Sequence, residues 1–272
     1  MIRLLRPTDL ETVMGHKQAA GWNQTQQDWT NLLAIEPEGC WVAEQQGIVT
    51  ATTTVVCYGQ QLAWIGMVLV HPEHRRKGFA RALMEHCLAW LQARRVRQVK
   101  LDATDMGRPL YEKLGFQVEC SIERWSKTLE EPLPPASPSQ PLPLAEIASF
   151  DKESFGADRT RLMKQLLSCF PGHGAWLQGR GFILGRPGSQ SFFLGPCAAS
   201  DVASARCLIT AEMARSQQQR FFWDLFPGNP AAAGLAHELG FERKRELARM
   251  SLQPSSIGRP ERVFAAAGFE YG

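Results

Sequence analysis

Hydrophobic positions in the first 128 residues change period several times, and each change marks an element. Residues 2–5 read as a short strand and 8–20 as a helix, and helical spacing resumes at 26–35. Two strand-like runs, 41–44 and 48–57, flank Gln45-Gln46-Gly47 and predict a hairpin closed by a tight turn. After Tyr58-Gly59-Gln60-Gln61, residues 62–70 are almost continuously apolar, as in a strand buried on both faces. The period then becomes helical: Ala80, Leu83, Met84, Cys87, Leu88 and Leu91 share one face, while Arg81, Glu85 and Gln92 face away. A strand at 96–103, a helix at 108–114 closed by Gly115, and an extended stretch at 116–129 complete the series. The order predicts a mixed α/β fold in which antiparallel hairpins precede one strand–helix–strand crossover.

Six prolines between positions 130 and 143 forbid helix and sheet alike, so this stretch reads as a semi-rigid linker between residues 1–129 and 144–272. The second part repeats the first. Phe79-Ala80-Arg81-Ala82-Leu83 corresponds to Ser204-Ala205-Arg206-Cys207-Leu208, Leu114-Gly115-Phe116 to Leu239-Gly240-Phe241, and Arg124-Trp125-Ser126 to Arg249-Met250-Ser251, each 125 positions on. Asp102 corresponds to Asp224 at 122. A constant offset at separate anchors predicts a duplicated fold: two tandem domains, each a mixed, mostly antiparallel sheet flanked by helices. The length of 272 residues suits two such domains. With 44% hydrophobic and 21% charged residues the chain reads as soluble and globular, and no apolar run is long enough to span a membrane. Seven scattered cysteines without a C-x-x-C pair suggest reduced thiols and a cytoplasmic location rather than disulfides or a metal site. A net charge of +3 suits an anionic ligand but does not point to nucleic acid.

The segment carrying the most chemistry is Val70-His71-Pro72-Glu73-His74-Arg75-Arg76-Lys77-Gly78-Phe79-Ala80. It joins the buried strand to the amphipathic helix, so its amides lie at a helix N-terminus, where unpaired donors and the helix dipole favour an anion. Gly78 admits a ligand close to the main chain, Ala80 keeps the first turn small, and Arg75, Arg76 and Lys77 add positive charge. The spacing Arg-x-x-Gly-x-Ala between such elements resembles the coenzyme A pyrophosphate loop of the GNAT superfamily of N-acetyltransferases. Pro109-Leu110-Tyr111-Glu112-Lys113-Leu114-Gly115-Phe116 is similar to that family's Leu-Tyr-x-x-x-Gly-Phe ending. The resemblance implies that residues 1–129 form a catalytic domain using acetyl-CoA and no metal. It also implies that the main chain of Met67, Val68, Leu69 and Val70 contacts the cofactor arm, and that Tyr111 lies near the thioester sulfur as a general acid.

The family's strand glutamate has no counterpart, because Leu62–Val70 holds no acid. A water chain, His71 or a carboxylate from the second part remain open as the base. Asp102, at a strand end, reads as a cap for the next helix. In the second part the loop position carries Pro196-Cys197-Ala198-Ala199-Ser200-Asp201-Val202-Ala203, with no cation and no glycine, so this copy is expected to have lost cofactor binding and to wall the acceptor site. Asp151, Asp158 and Asp224 are candidate anchors for a cationic amine, by charge alone. The expected reaction is acetyl transfer to a primary amine of a small molecule, with no nucleic acid or membrane partner and a homodimer left open. A non-catalytic coenzyme A sensor or scaffold is the alternative.

Overall fold

The computed structural model describes residues 1–131, 133–134, 141–254 and 257–272. Part of the proline-rich stretch therefore lies outside the described residues.

The elements of the first part follow the hydrophobic pattern closely. They are β1 (Ile2–Leu4), α1 (Leu10–Ala19), α2 (Gln26–Ile35), β2 (Cys40–Gln45), β3 (Ile48–Tyr58), β4 (Leu62–Val70), α3 (Phe79–Ala93), β5 (Val99–Ala103), α4 (Arg108–Lys113) and β6 (Gln117–Thr128). The second part contributes α5 (Leu144–Phe155), α6 (Thr160–Cys169), β7 (Gly174–Leu177), β8 (Gly181–Arg186), β9 (Phe192–Ala199), α7 (Val202–Ser216), β10 (Arg220–Leu225), α8 (Pro230–Glu238), β11 (Glu242–Ser251) and β12 (Val263–Ala265). On one face of the first part, Leu83, Met84, Cys87 and Leu91 of α3 pack with Tyr111 against Ala63, Ile65, Val99 and Leu101. On the other face one core draws on both parts: Trp29 and Trp64 pack with Ile147, Leu162, Met163, Phe182 and Tyr271.

The sheets expected from the repeat are joined into one sheet of 12 strands, with β12 paired to β9 off the main path β1-β2-β3-β4-β5-β11-β6-β10-β9-β8-β7. The final long strands are exchanged. β6 leaves its own half to pair with β10, and β11 crosses back to pair with β5. β6 and β11 run antiparallel to each other, and Ile122 lies opposite Leu247. Those two residues are repeat equivalents, so the pair marks a pseudo-two-fold axis through the middle of the sheet.

The repeated Asp and Arg residues secure the exchange. Arg249 of β11 binds Asp102 of β5 through two hydrogen bonds of 2.9 Å, and Arg124 of β6 binds Asp224 of β10 at 2.7 and 2.6 Å. All four side chains are buried. Each arginine thus neutralises the carboxylate on the neighbouring strand of the other half.

Candidate active site

β4 and β5 are parallel neighbours only at their starts, pairing at Ala63–Val99 and Trp64–Lys100. Beyond that point they diverge. The divergence coincides with a bulge in β4: the register against β3 shifts between Thr54–Gly66 and Thr52–Leu69, and Met67 takes φ +50°. A non-glycine residue in the left-handed region stores strain, a feature that clusters at functional sites. The free edge of β4 past Trp64 faces a cleft of about 70 Å³, whose walls include Met67, Val68, Asp102 and Tyr111.

The loop after β4 turns at Pro72–His74 and enters α3 through Gly78, which is left-handed at φ +85°. A Cβ on Gly78 would meet nothing within 4 Å, so the first turn of α3 faces open space. That helix has no side-chain cap. Arg75, Arg76 and Lys77 are exposed, and none is ion-paired among the described residues. Arg76 is itself left-handed at φ +62°. Uncapped amides, a dipole and unneutralised cations converge where an anion would sit.

The equivalent position in the second half is closed twice over. Asp201 caps α7 with its own carboxylate, which accepts from the Ser204 amide at 2.8 Å. Hydrogen bonds from Ser204 hold that carboxyl down at about 2. The gap between β9 and β10, which pair only at Phe192–Phe221, Phe193–Phe222 and Leu194–Trp223, is filled by the chain itself. β12 pairs with β9 there, Trp223 Nε1 donates to the Phe264 carbonyl at 2.7 Å, and the Ala266 amide donates to the Asp224 carbonyl at 2.9 Å.

Beyond β12, residues 266–272 cross to the first half. Trp64 Nε1 donates to the Phe269 carbonyl at 3.0 Å and Tyr58 Oη to the Tyr271 carbonyl at 2.7 Å. The crossing passes over Gly66, where an added Cβ would lie 2.9 Å from the Glu270 Cα. Phe269 and Glu270 thereby enter the cleft wall. Glu270 accepts from Arg186 at 2.7 Å and from Gln24 at 2.9 Å, and Arg186 also binds Asp28 at 3.0 Å. Two carboxylates share one guanidinium. Burial raises the pKa of Glu270 against the pull of Arg186, and the Asp28 charge adds to the rise.

Two family models, both described as acetyltransferase (GNAT) domain, match the chain: one over residues 36–118 and the other over 147–265. The chain belongs to the GNAT acetyltransferase family. It carries two GNAT domains in tandem. An uncharacterized N-acetyltransferase of Bacillus subtilis (strain 168), YitH, is 27% identical over 154 residues, which cover 55% of this chain and 54% of that relative. The match thus spans about half of the relative's length. A Pyrococcus horikoshii protein of known structure shares the fold with a TM-score of 0.85 at 20% identity, over 100% of this chain and 95% of its own. A tandem GNAT protein from the clavulanic acid biosynthesis pathway superposes with a TM-score of 0.65 at 16% identity, over 94% of this chain and 99% of its own.

Within the GNAT fold, the residues singled out from sequence separate into two groups. Met67, Val68 and Tyr111 line the cleft, and Leu69 and Val70 continue the free edge toward the loop that holds Arg75 to Ala80. Tyr111 is 7% exposed, and burial raises its phenol well above the usual range. Asp102 also lines the cleft, but as the partner of Arg249. The cap of α4 is Gly107, so the reading of Asp102 as a helix cap is corrected: strand exchange brings an arginine to it first. The three candidate amine anchors are not brought together. Asp151 is buried against Arg159 at 2.7 Å, Asp158 binds the Thr160 amide at 3.0 Å at the exposed start of α6, and Asp224 is taken by Arg124. His71 Nδ1 accepts from the Glu73 amide, and its ring packs 5.0 Å from His16 and 5.7 Å from His74, outside the cleft lining. Gln24, Arg245 and Glu270 were not legible. Nothing local marks them, because each reaches the cleft only through long-range packing.

Proposed function

We propose that this protein is an acetyl-CoA-dependent N-acetyltransferase, transferring an acetyl group to the primary amine of a small molecule by direct attack of the amine on the thioester. The observation that carries the proposal is the difference between two equivalent clefts. In the first half the strand gap and helix N-terminus are open and cationic, and in the second both are filled by the chain's own groups.

The residues present fit acetyl-CoA. The diphosphate would be held by amides after Gly78, with Phe79 and Ala80 in the first helical turn and Arg75, Arg76 and Lys77 around it. The arm would run along the free edge of Met67, Val68, Leu69 and Val70. When bound, acetyl-CoA supplies an activated acyl group. Main-chain amides at the bulge would stabilise negative charge on a carbonyl oxygen. Tyr111 keeps its proton across the neutral range and can pass it to the departing sulfur, though its raised pKa makes it a weaker acid than a free phenol. Glu270 is the cleft carboxylate suited to take a proton from the amine, since its raised pKa strengthens it as a base. The sensor alternative draws on the lack of an acid in β4, and in the reading proposed here Glu270 would supply the base in its place.

The test is thiol release from acetyl-CoA against a panel of small amines. Arg76→Glu should raise KM for acetyl-CoA about tenfold or more, since it replaces attraction by repulsion at the diphosphate. Tyr111→Phe should lower kcat by about a hundredfold. Turnover indifferent to Arg76→Glu would refute the loop assignment. Tight coenzyme A binding without consumption of any amine would instead favour the sensor.

A further inference from the structure

Among the described residues four buried arginines are each paired with a carboxylate, whereas a half-buried fifth, in the cleft wall, is not. Arg124 has Asp224, Arg159 has Asp151, Arg186 has Asp28 and Glu270, and Arg249 has Asp102. Arg245 of β11 has no hydrogen bond or ion pair among the described residues, and its Nε is buried without a partner. It belongs to the run Arg243-Lys244-Arg245, whose first two cations lie outside and find Glu123, Glu246 and Glu242. Arg245 turns inward, lines the cleft beside Leu247, Phe269 and Glu270, and sits 5.0 Å from the Phe269 ring centre.

Its surroundings increase its demand for an anion. The neighbouring Arg124 contributes a second positive charge, and its guanidinium lies 4.5 Å from the same Phe269 ring. Asp224, whose charge attracts Arg245, is committed to Arg124 by both of its oxygens. Burial, followed by repulsion from Arg124, lowers the pKa of Arg245 to about 10, still well above neutrality, so the side chain remains cationic. A charged guanidinium left unpaired in a partly desolvated wall is costly to the fold, and its planar donors match a carboxylate. The repeat equivalent of Arg245 is Cys120, so duplication of the structural Asp–Arg pairs does not account for it.

We propose that Arg245 receives a carboxylate carried by the acceptor, so that the amine acetylated is amino-acid-like, with its ammonium group toward Glu270 and its carboxylate on Arg245. This assignment rests on the acetyltransferase reading and narrows the acceptor from small amines in general to amines bearing an acid. The tight cleft favours a compact carboxylate over a bulkier anion.

The test titrates the coenzyme A-bound protein calorimetrically with L-amino acids and with the matching amino-acid amides, and measures acetylation of both sets. Acids should bind about tenfold or more tightly than amides, the effect of a desolvated charge-assisted hydrogen-bond pair. Arg245→Met should abolish that preference through KM, with affinity for coenzyme A staying within threefold. Arg245→Lys should restore part of the preference. Equal binding of acids and amides, a preference that survives Arg245→Met, or no binding of any acid would overturn the assignment. Coenzyme A affinity then separates the two failures: if it persists and amides are acetylated, only the role of Arg245 falls, and if it is absent, the acetyltransferase reading falls as well.

Discussion

Arg124→Met tests how the two halves are held together. The Arg124 side chain is 6% exposed and that of Asp224 0%, and the pair makes two hydrogen bonds of 2.7 and 2.6 Å. Removing the guanidinium leaves a fully buried carboxylate without its partner, a change that costs about 3–5 kcal/mol. Arg245 also attracts Asp224 electrostatically, which places the expected loss at the lower end, about 3 kcal/mol. Against a typical total of about 5–15 kcal/mol that is a large fraction. The double variant Arg124→Met with Asp224→Leu should recover most of it, because the cost lies in the orphaned charge rather than in the loss of a net-favourable pair. Urea unfolding, followed by tryptophan fluorescence and far-ultraviolet circular dichroism, measures both. The exchanged strands further require a single transition, with the two probes coincident. A loss below about 1 kcal/mol, or a double variant no more stable than the single, would refute the argument. Two separate transitions would show that the halves unfold independently despite sharing β6 and β11.

Other consequences can be checked separately. Gly66→Ala drives a Cβ toward the backbone of Glu270 and should lower kcat by displacing residues 269 and 270, while coenzyme A affinity stays within threefold; unchanged kcat would show that the crossing segment does not serve the site. Tyr111 is protonated below its raised pKa, so its contribution as acid should persist from pH 7 to 9, and the ratio of wild-type to Tyr111→Phe rates should stay flat across that range. His16 is buried against His71 and His74, with its pKa lowered to about 4 by burial first and then by those two rings. The unfolded chain therefore binds more protons than the folded one between about pH 4 and 6.5, and stability should rise with pH across that window. Replacing His16 by Gln should flatten this slope in urea titrations at several pH values.

Much of the first half was legible from periodicity, since the elements from β1 to β6 depend on which face of each segment is apolar. The cationic loop was legible because its chemistry lies within a few neighbouring residues around Gly78. The difference between the two loop positions could be read from the presence of Asp201 and Ala203 where the first copy has cations and glycine. A long strand such as β6 has the same alternation whichever strands lie beside it, so the exchange with β11 was decided only in three dimensions. The same holds for the filling of the second gap by β12, the crossing of residues 266–272, and the meeting of Gln24, Arg245 and Glu270 in one cleft. Local patterns determine faces, turns and caps, whereas the choice of partners across a sheet depends on which surfaces, far apart along the chain, bury each other's charges and apolar area.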